Sequence, residues 1–157
     1  MQNISVLDLL KQGKIYRADY NRIFDKDYLK QYKFLAHQAG FEDCPIFCAT
    51  ETSKDIISSS GLHKSKSNVL LTLNVPDDET YCTEYYTWTD YLYFSTEDTN
   101  HSYVKELEDE LKQNLIPEHC SDPQIIIDRI EPTWVDGLIV DDHKNDDLED
   151  INLIESD

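Results

Sequence analysis

The sequence predicts an α+β fold: a small central sheet flanked by helices, followed by an acidic C-terminal tail. Three observations carry that expectation. Val69, Leu70, Leu71, Leu73 and Val75 crowd into one short run that ends at Pro76-Asp77-Asp78, as a buried strand stopped by turn residues would. Apolar residues recur at helical spacing in two other stretches, Tyr28–Ala39 and Val104–Leu115. Acidic residues gather in the second half: residues 73–157 carry four Lys/Arg against twenty-four Asp/Glu, whereas residues 1–72 carry ten against eight.

The elements follow in order. Ser5 and Asp8 have capping-box spacing and open a short helix to about Gln12, which Gly13 can end. Lys14–Ala18 reads as a brief strand, with Ile15 and Arg17 on one face. From Asp25 the pattern is helical: Tyr28, Tyr32, Leu35 and Ala39 share a face, and Gly40 stands where a C-terminal cap belongs. Cys44–Ala49 is short and apolar and suits a strand, while Ser53–Ser67 is serine-rich and reads as a short helix at most and then a mobile loop. The run Asn68–Val75 is apolar enough for burial on both faces, hence a central strand beside 46–49. Tyr81–Phe94 holds seven aromatics whose types favour strand while Trp88, Tyr91 and Leu92 also fit a helical face; the element type stays open, with a strand at Tyr81–Thr83 and then a helix preferred. Ser102 caps an amphipathic helix to Asn114, with Val104, Leu107, Leu111 and Leu115 as the inward stripe and Glu106, Asp109 and Glu110 outward. Ile125–Ile127 and Gly137–Val140 are late strands.

At 157 residues the expectation is one globular domain over 1–140 and a largely disordered tail over 141–157. The first residues lack a basic region and Asp8 interrupts their apolar run, so no secretory signal is expected. Apolar stretches fall far short of the roughly 20 residues that span a bilayer. Cys44, Cys48, Cys82 and Cys120 have no compact spacing, which fits free thiols in a reducing cytoplasm.

Motifs for chemistry are sparse. Cys44 and Cys48 are spaced C-x₃-C and His119-Cys120 are adjacent, a poor geometry for tetrahedral zinc, so no metal is expected. The tail lacks the frame of a calcium loop. The four glycines, at 13, 40, 61 and 137, never cluster, which argues against a phosphate-cradling loop. No Gly-x-Ser-x-Gly elbow is present.

Two resemblances add expectations. Ile15-Tyr16-Arg17-Ala18-Asp19 resembles the first strand of cholera-toxin-class mono-ADP-ribosyltransferases. That likeness implies NAD as cofactor, Arg17 on its phosphates, and Thr50 or Thr52 near the ribose. The counterpart of the family's Ser-Thr-Ser strand is here Ala49-Thr50-Glu51-Thr52, which inserts an acid. A broader likeness runs through residues 45–49 and 68–94. The apolar strand entering Pro-Asp-Asp, with a Trp-bearing block after it, is similar to a family of short bacterial and phage proteins of unknown function. It implies a compact α+β domain and no particular activity.

The charge itself is the strongest functional cue. The overall −18 far exceeds the roughly 2–8 that solubility asks of a small domain. Such a surface repels nucleic acid and anionic membranes and attracts basic proteins. Carboxylates at phosphate-like spacing can occupy a basic nucleic-acid channel, so the leading expectation is a phage-type anti-defence inhibitor that engages a nucleic-acid-binding partner by mimicry, without a cofactor. The expected contacts are Asp77, Asp78 and Glu79, the ridge Glu106, Asp109 and Glu110, and Asp141, Asp142, Asp146 and Asp147 of the tail. Tyr85, Tyr86 and Tyr93, where exposed, would serve as aromatic anchors. The NAD-dependent enzyme is the alternative, with Arg17, Thr50 and Thr52 as its site.

Overall fold

The computed structural model describes residues 2–23, 25–53, 55, 68–97, 100–141 and 151–154. The fold is α+β. Among the described residues four α-helices accompany two antiparallel sheets, and no helix is long and apolar enough to cross a membrane. The single central sheet expected from sequence is therefore replaced by two, and strands 46–49 and 68–73 belong to different ones. The chain divides into two compact units, each built from separated segments.

The first unit comprises residues 1–16, 54–77 and 130–157. Its strands are β1 (Gln2–Asn3), β3 (Asn68–Leu73), β6 (Val135–Asp141) and β7 (Ile151–Ile154), paired in the order β1-β3-β6-β7. The strand β3 is interior to its sheet, as its apolarity implies. Its side chains are nevertheless mostly half-buried, and only Val69 is fully enclosed, against Leu7. Thr72 opposes Gly137 and Leu73 opposes Val135, so Asp136 is the extra residue of a β-bulge. A strand at Ile151–Ile154 pairs with β6, within a stretch whose composition points to a disordered tail. Three apolar residues in four, Ile151, Leu153 and Ile154, are easily outweighed in composition by the surrounding acids. Asp142, Asp146 and Asp147 lie outside the described residues, as does most of the stretch 53–67.

Helix α1 (Ile4–Lys11) follows β1 and buries Val6, Leu7 and Leu10. Its cap is Asn3, whose side-chain oxygen accepts from the Ser5 backbone N–H at 3.0 Å, so the Ser5/Asp8 box is displaced. Asparagine is as good a cap as serine, and starting earlier brings Ile4 into the helix. Gly13 follows with φ +75°, the left-handed turn expected of it. The brief strand expected at 14–18 is reduced to two isolated bridges, Tyr16 with Ile130 and Ala18 with Cys44. Each bridge finds a different partner segment, so no continuous ladder forms.

The second unit comprises residues 17–53 and 78–129. Strands β2 (Ile46–Ala49) and β4 (Tyr81–Glu84) flank β5 (Pro123–Ile127). The central position of β5 encloses Ile126 and Ile127 completely. Helix α2 (Leu29–Ala39) carries the predicted apolar face, with Leu35 fully buried and Gly40 at φ +74° as its cap. Helix α3 (Tyr85–Ser95) follows β4 directly, so the aromatic block is both strand and helix. Helix α4 (His101–Leu111) starts at Asn100 rather than Ser102 and ends before Asn114. Asn100 takes φ 62°, a left-handed conformation that asparagine tolerates. Ser102 then sits inside the first turn.

An aromatic layer holds this unit together. Phe47 of β2 stacks on Trp88 of α3 with ring centroids 5.5 Å apart, and Tyr32 of α2 meets both rings edge-on at 5.4 Å. Leu107 and Leu111 complete the core from α4. One buried polar residue lies within the helical layer, and it is satisfied. The Gln31 amide accepts from the Ser95 hydroxyl at 2.8 Å and donates to the Asp27 and Tyr28 carbonyls at 3.2 Å.

Candidate functional site

The most distinctive surface of the second unit is the hairpin of α3 and α4. Helix α3 is aromatic all round, so part of its aromatic surface must face water. Trp88 and Tyr91 point inward, while Tyr86 and Tyr93 are 62% and 57% exposed. These two are seven residues apart, hence on nearly one line of the helix and about 10 Å apart along its axis. Tyr85 is half-buried with its ring edge-on to Tyr86 at 5.7 Å.

Helix α4 supplies the charge. Leu107 and Leu111 face the core, which leaves Glu106, Asp109 and Glu110 exposed at i, i+3 and i+4 on one face. Three hydroxyl-to-carboxylate bonds tie the helices together. Thr87 donates to Glu110 at 2.9 Å, Tyr91 to Glu108 at 3.1 Å, and Tyr103 to Asp90 at 2.8 Å. Among the described residues, then, Asp90, Glu108 and Glu110 each accept from a neutral hydroxyl. The field is felt by the donors. Burial, then the Glu108 carboxylate, raises the Tyr91 phenol, and the hydrogen bond to Asp90 raises that of Tyr103. The cation paired with the ridge is Lys112, 3.3 Å from Asp109 on an exposed, weakly coupled contact.

The other expected contacts are differently placed. Asp77–Glu79 form one 3-10 turn, with Asp77 and Asp78 exposed. Glu79 is engaged: Arg129 donates to both its oxygens, at 3.0 and 3.2 Å, and this bidentate bond holds its carboxyl below the usual range. Asp141 closes β6.

Arg17 is also engaged. Its guanidinium donates to Asp43 at 2.8 Å and lies 4.0 Å from Asp128, which in turn pairs with Arg129 at 2.9 Å. Asp43, Arg17, Asp128, Arg129 and Glu79 thus form one charge chain, and only the adjacency of Asp128 and Arg129 is visible in sequence. Thr50 and Thr52 share a hydrogen bond of 3.0 Å, and Thr50 also meets Ser53 at 3.1 Å. Ser53 is fully buried. It accepts from the Thr50 N–H and donates to the Pro123 carbonyl, both at 2.8 Å. The bridge between Ala18 and Cys44 sets Arg17 at the start of the β2 segment, and the threonines lie at its end. An extended segment from 44 to 50 spans about 20 Å, so the fold does not bring the arginine and these hydroxyls together.

Among the described residues no group of three or more His, Cys, Asp or Glu converges as a metal site. Cys44 and Cys82 are buried, and burial raises both thiols, to about 11 and about 12. His119 stands in the 3-10 turn Pro117–His119, with Cys120 just after it. No family model, no curated protein and no solved structure matches this chain.

Proposed function

We propose that the chain is an acidic binding module whose α3–α4 hairpin engages a basic, nucleic-acid-binding protein by presenting a phosphate-like row of charge. The observation that carries this reading is the exposed ridge Glu106, Asp109, Glu110 on the helix packed against α3, which exposes Tyr86 and Tyr93. The ridge sets three carboxylates along about 6 Å of helix axis, a mean spacing of about 3 Å. One strand of duplex DNA carries about one charge per 3.4 Å, so the spacing is comparable to a single strand. Glu110 accepts from the neutral Thr87 hydroxyl, Asp109 meets Lys112 only in an exposed contact, and two tyrosines supply the kind of anchors that dominate binding energy. The scale of the whole-chain charge adds steering of a basic partner. An inhibitor carried by a phage or mobile element is the biological role this chemistry suits.

The test is capture from bacterial lysate on the immobilised chain, with elution by salt and competition by DNA or RNA. The expected result is one nucleic-acid-binding protein, released by high salt and displaced by its own nucleic acid. The triple variant E106K/D109K/E110K should lose it, and Arg17→Ala should retain it. Capture that survives the triple variant, or an empty column, would overturn the proposal.

A further inference from the structure

The four cysteines have no sequence pattern, yet the fold brings two of them together. Cys82 lies in β4 and Cys120 in the linker between α4 and β5, 38 residues later, with their sulfurs 4.0 Å apart. The linker is strapped across β4. The Leu115 N–H donates to the Cys82 carbonyl at 2.9 Å, and the Cys82 N–H donates to the Asn114 side chain at 2.9 Å. Glu84 accepts from the backbone N–H groups of Ser121 and Asp122 at 2.8 and 3.1 Å. Cys82 is 2% exposed, whereas Cys120 is only half-buried and so open to a solution reagent.

We propose that Cys82 and Cys120 are a paired dithiol that closes to a disulfide in the folded chain when a small-molecule disulfide supplies the oxidising equivalent. Cys120 is the entry point and Cys82 the resolving thiol. The Cys120 thiolate attacks one sulfur of the reagent, whose other half leaves as a thiol and takes up the proton that Cys120 lost. Cys82 then attacks the Cys120 sulfur of this mixed disulfide and expels the second thiol, which takes the Cys82 proton. The chain loses two electrons and two protons, and the reagent is reduced to two thiols. The sulfurs must approach from 4.0 Å to about 2.05 Å, a shift within reach of a change at Cys120, whose segment is linker rather than sheet. Burial disfavours the thiolate at both cysteines, and the nearby carboxylates of Glu84 and Glu118 add to it. Closure is accordingly slow near neutrality and faster as pH rises.

The experiment incubates the full native chain with oxidised glutathione at mildly alkaline pH and follows intact mass, then maps peptides without reduction. The expected product has lost two hydrogens, links Cys82 to Cys120, melts about 10 °C higher than the reduced chain, and reverts with a thiol reductant. In Cys120→Ser, a change at a half-buried position, no internal disulfide should appear. A glutathione adduct that persists on Cys120 in the native chain, an unchanged mass, or a disulfide joining a different pair of cysteines would overturn the proposal.

Discussion

Tyr81→Phe isolates one bond of the second unit's core. Tyr81 is 6% exposed at the start of β4, and its hydroxyl donates to the Leu111 carbonyl at 2.7 Å. Leu111 is the last residue of α4 and fully buried. Its carbonyl is one of those a helix end leaves without an intrahelical partner. Phenylalanine keeps the ring and its packing but leaves that oxygen dry and unpaired. A net hydrogen bond contributes about 1 kcal/mol, and an unsatisfied buried acceptor costs about 1–3 kcal/mol, so a loss of about 2 kcal/mol is expected. Urea unfolding followed by near-ultraviolet circular dichroism reads this directly. With a slope of about 2 kcal/mol per molar, the midpoint should fall by about 1 M while the slope stays unchanged. Tyr86→Phe, at an exposed ring, should stay within about 0.5 kcal/mol of the native chain. If Tyr81→Phe is as neutral as Tyr86→Phe, the hydroxyl does not secure the end of α4 and the reasoning fails.

Trp88→Ala should cost about 3–5 kcal/mol, since it removes the ring against which Phe47, Tyr32 and Tyr91 pack; a loss under about 1 kcal/mol in the same urea assay would mean the aromatic layer is not the core of its unit. Stability should fall in alkali. Burial raises the phenols of Tyr81 and Tyr91 and pushes the Cys82 thiol up to about 12, so each is held neutral in the fold. Their contribution is fully present below the unfolded-state values, about 8.5 for Cys and 10 for Tyr, and is lost as pH rises above them, by up to about 1.4 kcal/mol per pH unit for each group. Urea midpoints measured from pH 8 to 11 should therefore decline, first through the buried thiols of Cys44 and Cys82, and a flat profile would contradict the burial. Gly40→Ala should cost about 1 kcal/mol through its left-handed backbone alone, because a Cβ there meets no atom within 4 Å; Gly40→Asn should cost less, and equal losses would point to a steric cause instead.

What the sequence by itself determined about this protein is its local order. The face of α2, its glycine cap, the inward leucines and outward carboxylates of α4, and the strands β2 and β3 all follow from periodicity within one segment, which a side-chain pattern records directly. The acidic ridge was legible for the same reason: three carboxylates opposite an apolar stripe have only one side of a helix to occupy. Tertiary structure alone decided the rest. Two apolar strands look equally suited to one sheet, and only pairing assigned β2 to β5 and β3 to β6. Arg17 found Asp43 and Asp128, Cys82 found Cys120, and Ser53 of a serine-rich stretch became a fully buried bridge to Pro123. These partners are separated by 26 to 111 residues, and no local spacing encodes them. Hydrogen bonds and ion pairs are specified by where the backbone returns, and that return is set by the burial of the whole apolar surface rather than by any one segment.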